Sequence, residues 1–175
     1  MCIRICPRAQ YKVSESLLFI YLVFSHQCGD FSACTPYSYW GSEHCGYPSQ
    51  GGDCANFVSQ CVLAGGHPPL NTGDPCRGYP CGVEEIGAQK LSNCLQSFGW
   101  TASCGYMMGP PPEIEAGDVL VYFNGDGCTG GAHAVFVTSR NGDDATISCH
   151  SNEREDVSYT YMGESMPYYM WLHAP

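Results

Sequence analysis

From position 54 the order of apolar and polar residues follows a helical period: Cys54-Ala55-Asn56-Phe57-Val58-Ser59-Gln60-Cys61-Val62-Leu63-Ala64, closed by Gly65-Gly66. Val58, Cys61, Val62 and Gly65 fall on one face, Asp53 stands at the cap position, and the two glycines supply the stop. A second helix is predicted over 83–98, with Ile86, Leu91, Cys94, Leu95 and Phe98 as its apolar members and Gly99 as its end. After the breaker Pro110-Pro111-Pro112 the pattern changes to short runs over 119–123, 133–138, 145–150 and 168–173, which predict strands. Helices first and an antiparallel sheet afterwards predict an α+β domain with its first helix packed on the sheet, not an alternating parallel α/β fold. Residues 27–52 have no sustained period and read as loops, with a short helical turn around 37–40. The stretch 67–82, with its prolines, glycines and two cysteines, reads as a disulfide-tied loop or a substrate rim.

The chain has 175 residues, 44% of them hydrophobic and 14% charged, enough for a single domain. Seven basic side chains face 17 acidic ones, a net charge of -10, which repels phosphate backbones and excludes nucleic acid as a natural partner. Arg4, Arg8 and Lys12 precede an apolar run from Leu17 to Phe24, with small residues near Ser25, so residues 1–25 read as a secretory signal and 26–175 as the mature domain. That run is too short for a stable membrane span, and no stable membrane insertion is expected. Removing Arg4, Arg8, Lys12 and Glu15 leaves 4 basic against 16 acidic side chains, a net of -12. Thirteen cysteines without Cys-x-x-Cys pairs argue for a secreted, disulfide-stabilised protein. Cys2 and Cys6 leave with the signal, and the 11 that remain are odd in number, so five disulfides would leave one thiol.

Cys54 is the strongest candidate for that thiol. At a helix start the unpaired N–H groups and the positive end of the dipole favour a thiolate and can hold an oxyanion. Asp53 raises the thiol pKa unless its charge is committed to the cap. The turn Arg140-Asn141-Gly142-Asp143 predicts a hairpin with a two-residue loop at 141–142, whose paired positions sum to 283. His133 would then face His150 directly, with Asn152 as the diagonal neighbour and second choice for an orienting role; a bulge or a longer loop would undo that register. A helix-start cysteine, a histidine base and an orienting partner are the parts needed for nucleophilic attack on an amide.

The run Asp53-Cys54-Ala55-Asn56-Phe57-Val58-Ser59-Gln60-Cys61, continuing to Ala64-Gly65-Gly66, resembles the signature of the putative amidase domain family, a relative of the NlpC-type and CHAP-type peptidoglycan hydrolases. The likeness continues in Tyr39-Trp40, Tyr47-Pro48, Gly117-Asp118-Val119, Ala132-His133-Ala134 and His150-Ser151-Asn152, and spans roughly residues 37–173. It implies a papain-like α+β fold and a cysteine amidohydrolase or peptidase, with Cys54 as nucleophile, His133 as general base and acid, and His150 as the third, polar member. Peptide or peptidoglycan stem peptides would be the substrate. Asp53 and Tyr47 are expected to border the groove, and no cofactor or metal is expected. The cysteine load departs from typical bacterial members and suggests a disulfide-stabilised secreted version.

Two other readings compete. A disulfide-rich binding module on an inactivated scaffold would place Cys54 in a disulfide. Zinc held by Cys54, His133, His150 and Cys149 is disfavoured because Cys149 and His150, adjacent in a strand, point to opposite faces. Asp118, after Gly117 at the mouth of a strand, reads as a turn former. His67 and His173 read as surface or structural residues, and the acidic run 153–156 as a solvated loop.

Overall fold

The computed structural model describes residues 54–70, 72–76, 87–106, 113–125, 127–149, 154–162 and 165–175. Helix α1 (Cys54–Ala64) has the bounds set by its periodicity. Its end is a Schellman turn: Gly66 takes φ 97°, its N–H donates to the Leu63 carbonyl at 3.0 Å, and the His67 N–H reaches Val62 O at 3.0 Å. Helix α2 (Ala88–Ser97) ends the same way, with Gly99 at φ 91° and the Trp100 N–H on Leu95 O at 3.2 Å. The part of the expected second helix over 83–86 lies outside the described residues.

One buried face was expected for α1, yet Cys54, Ala55, Asn56, Phe57, Val58, Ser59, Cys61 and Val62 are all buried. The helix carries no charged residue, and a helix without a polar stripe is stable only when covered nearly all round. Asn56, Phe57, Val58, Ser59, Cys61 and Val62 are mediocre helix formers, each costing at most about 0.7 kcal/mol relative to alanine. Burying Phe57, Val58 and Val62 contributes about 1.5–3 kcal/mol apiece. Tertiary packing, not propensity, makes this segment helical.

The strands are β1 (Thr101–Tyr106), β2 (Val119–Phe123), β3 (Gly131–Asn141), β4 (Asp144–Cys149), β5 (Arg154–Ser158) and β6 (Tyr168–His173), with a 3-10 turn over Tyr159–Met162. They form an antiparallel sheet in the order β1-β6-β2-β3-β4-β5. The α+β expectation therefore holds, with both helices against one face. There Val119, Val121, Phe123, Ala134, Phe136 and Leu172 meet the apolar residues of α1 and α2. The other face has its own buried layer, built from Leu120, Tyr122, Val135, Val137, Ile147 and Trp171 and covered by Ile114 and Tyr159. Strands β1 and β5 were not expected. β1 is exposed along most of its length, and β5 is the acidic run read as a loop. Both lie at sheet edges, where no buried face imposes alternation on the sequence.

Two disulfides tie the described parts together. Cys76–Cys94 joins the segment after α1 to α2, and Cys104–Cys128 joins β1 to the loop that leads into β3. Closing a loop of this size removes about 3 kcal/mol of unfolded-chain freedom by the entropic account. No helix among the described residues is long and apolar enough to cross a membrane.

Asp118 forms the expected turn and does more. Its carboxylate accepts from the Glu115 N–H at 2.8 Å, from the Trp171 indole N–H at 2.6 Å and from His173 Nδ1 at 2.9 Å, which ties the mouth of β2 to the end of β6. Burial pushes its carboxyl above the usual carboxylate range, while these contacts pull the other way. Replacing Asp118 by alanine strands a buried indole donor, so Asp118→Ala is expected to destabilise the domain by about 1–3 kcal/mol. His173→Ala, at a ring that is partly solvated, is expected to cost under about 1 kcal/mol. Urea unfolding midpoints check both, and an unchanged midpoint for Asp118→Ala would remove its anchoring role.

Candidate active site

Cys54 is the first residue of α1 and is only 8% exposed. Its own N–H and those of the next residues lack intrahelical acceptors, so they point as a group of donors past the start of the helix. Within the same first turn Asn56 is fully buried, and its Oδ1 accepts from Gln60 Nε2 at 2.6 Å. The Asn and Gln of the Asn56-Phe57-Val58-Ser59-Gln60 run thus form one i,i+4 pair inside α1.

Cys54, Cys61 and Cys149 are thiols, all buried. This corrects the expectation of five disulfides and one thiol. Three thiols among the 11 cysteines of 26–175 leave at most eight for disulfides, hence at most four bridges. An odd count cannot distinguish one thiol from three. Cys61, on the inner face of α1, behaves as a small hydrophobe, and burial pushes its pKa well up. Cys149 ends β4, and its pKa is pushed up to about 12, first by burial and then by the charge of Cys54. That second cause makes the two sulfurs electrostatic neighbours, consistent with the packing of α1 against β3 and β4.

The hairpin does not have the expected register. Its loop is Gly142-Asp143, closed by Asn141 opposite Asp144, so the first pairs sum to 285. A bulge around Thr138 then shifts the sum to 284 at Val137–Ile147 and Phe136–Ser148. The expected sum of 283 is thus corrected over the observed pairs, while His150, the partner expected for His133, lies outside the described residues. The roles expected of His150, Asn152, Asp53 and Tyr47 concern residues outside those described.

His133 lies near the start of β3, half-buried, directly opposite Tyr122 of β2. The two rings are nearly parallel, 22° apart in plane, with centroids at 6.5 Å. Tyr122 is fully buried and donates its hydroxyl to the Tyr159 carbonyl at 2.6 Å, which fixes the ring that His133 lies beside. Burial, and next the charge of Cys149, pushes the Tyr122 pKa well up. Cys149 is electrostatically coupled to both Cys54 and Tyr122, and Tyr122 stacks beside His133. Cys54 belongs to the helix-covered layer, whereas Tyr122 and Cys149 belong to the layer on the other face of the sheet. The reading of motifs missed Tyr122 as a neighbour of His133 and weighed Cys149 only as a zinc ligand. Both lie in buried runs that look like plain core, and only cross-strand pairing marks them out.

His67, read as surface or structural, is structural. Its Nδ1–H donates to the Pro68 carbonyl at 2.7 Å, and its ring packs edge-on against Phe98 at 4.7 Å. Burial lowers its pKa, consistent with a neutral ring.

The family model described as Putative amidase domain matches residues 36–172. No functionally curated protein matches the chain. A solved structure titled the crystal structure of Ly7917 aligns at 18% identity with a TM-score of 0.46, covering 93% of this chain and 62% of its own. The chain thus spans less than two thirds of that protein.

The thiol environments give a pH-dependent expectation. A thiol whose pKa is raised stays protonated, and therefore unreactive, until the pH approaches that raised value. In the folded protein at pH 8, iodoacetamide should modify Cys54 well before Cys61 or Cys149. After unfolding without reductant all three should react, while Cys76, Cys94, Cys104 and Cys128 should not. Peptide mass mapping reads the order, and early modification of Cys149 would contradict the environment described.

Proposed function

The chain belongs to the Putative amidase domain family, whose model covers residues 36–172, and we propose that it hydrolyses amide bonds by a cysteine mechanism. The observation that carries the reading is a thiol, Cys54, as the first residue of a buried helix. In this mechanism the Cys54 sulfur attacks the substrate carbonyl carbon, and the helix-start N–H groups stabilise the oxyanion that forms. His133, having taken the thiol proton, delivers it to the leaving amine. It then takes a proton from water as that water attacks the thioester, and the carboxylic acid and the Cys54 thiol are released. His150 is assigned the orienting role and Asn152 is the second choice, with Asp53 and Tyr47 bordering the groove.

The protein is read as secreted, with residues 1–25 as its signal and a papain-like, NlpC-type fold. The disulfides Cys76–Cys94 and Cys104–Cys128 support an oxidising compartment. Stem peptides of peptidoglycan are the substrate class favoured by the family resemblance. At a net charge of -12 for residues 26–175, long-range attraction does not bring the protein to an anionic wall, so recognition belongs to short-range contacts in the groove.

Incubation with purified sacculi should release peptide fragments identifiable by mass spectrometry. Cys54→Ala should lower that release at least about 10³-fold while keeping the circular dichroism and thermal transition of the parent, and His133→Ala should behave similarly. Undiminished turnover in Cys54→Ala would end the cysteine reading. Sacculus binding without fragments from the parent protein would point instead to a binding module.

A further inference from the structure

The strand that carries His133 is held to α2 by a particular side chain. Gln89, the second residue of α2, accepts the Gly131 N–H on its Oε1 at 3.0 Å. Its Nε2 donates to Ser92 Oγ and to Asn93 Oδ1, both at 3.1 Å. Ser92 is fully buried and donates its hydroxyl back to the Gln89 carbonyl at 2.8 Å. The amide is therefore oriented from the helix side, with its oxygen committed to the strand.

Helix and strand meet here with no room for a side chain. A Cβ on Gly131 would lie 2.7 Å from Val121 Cγ1 and 3.0 Å from the Gln89 nitrogen. Immediately beyond, the ladder is irregular: Gly131 pairs with Phe123, whereas His133 pairs with Tyr122, so a single step on β2 is matched by two on β3. That bulge turns the strand over. Gly131 faces Val121 and α2, and His133 faces Tyr122 on the other side of the sheet. A bulge of this kind sets the direction of the side chain that follows it. A half-buried N–H at Gly131 could bond to water equally well, but water would not fix the bulge relative to α2.

We propose that Gln89 is a positioning residue for His133: by gripping Gly131 it holds the bulge that aims the imidazole. This rests on the reading of Cys54 and His133 as a working pair. Gln89 touches no reacting atom and acts through the strand alone. The Cys104–Cys128 bridge fixes the same loop farther upstream, three residues before Gly131.

The test follows alkylation of Cys54 by iodoacetamide against pH in the folded full chain, quantified on the Cys54 peptide so that Cys61 and Cys149 do not contribute. Gln89→Leu removes the acceptor and should slow Cys54 alkylation at neutral pH about tenfold or more, with the midpoint of the profile moved upward. Gln89→Glu keeps an oxygen for Gly131 and should retain the parent midpoint. A parent-like profile in Gln89→Leu, alongside a shifted one in His133→Ala, overturns the positioning role and leaves the cysteine–histidine pair standing. An unshifted His133→Ala overturns the pair and the proposal with it. If Gln89→Leu fails to fold, Gln89→Ala decides: it removes the acceptor of the Gly131 N–H without adding bulk, so an upward shift supports the proposal and an unchanged midpoint overturns it.

Discussion

Strand β2 turns no side chain to water, and a strand in that position needs cover on both faces as well as hydrogen-bonding neighbours at both edges. β3 and β6 fill the edges, α1 and α2 cover one face, and Ile114 with Tyr159 covers the other. The demand extends to the polar atom that the strand brings inside. The Tyr122 hydroxyl is buried with it and is satisfied by the Tyr159 carbonyl, so the 3-10 turn is bound to the core by a hydrogen bond as well as by packing. His133 sits opposite that tyrosine, and the location of the proposed base is thus set by the innermost strand.

What could be read from the sequence follows the same division between inside and edge. α1, β2 and β6 came out with their observed bounds because buried faces impose a period on the residues that fill them. β1 and β5 did not, since Thr101–Tyr106 and Arg154–Ser158 bury too little to leave a pattern. The hairpin was placed correctly, but its register was not. Asn141-Gly142 marks a turn whichever of two adjacent positions closes it, and the bulge at Thr138 has no signature of its own. Of the candidate site, Cys54 and His133 were legible from motif spacing. Cys149, Tyr122 and Gln89 were not, because their importance arises from cross-strand and helix–strand contacts.

The electrostatics around Cys54 bear on the proposed chemistry. Cys149 and Tyr122 are both held protonated by burial, and Cys149 is electrostatically coupled to Cys54, the proposed nucleophile. In the proposed mechanism a thiolate at Cys54 would be stabilised by the helix-start donors and by the imidazole of His133. Asp118, by contrast, bonds to the Glu115 N–H, Trp171 and His173, the last a partner at the end of β6. Its bonding is structural, and it stays out of the mechanism.

The burial of Cys61 within α1 has a consequence for how this chain acquires its covalent form. While the polypeptide is unfolded, every sulfur is open to oxidation, and the possible mispairings outnumber the native set. Docking of α1 withdraws Cys61 behind a wall of packed side chains, and closure of β4 does the same for Cys149. Thiol–disulfide exchange needs an accessible thiolate, so these two cease to compete once the interior closes. Collapse of the core thereby removes Cys61 and Cys149 from that competition.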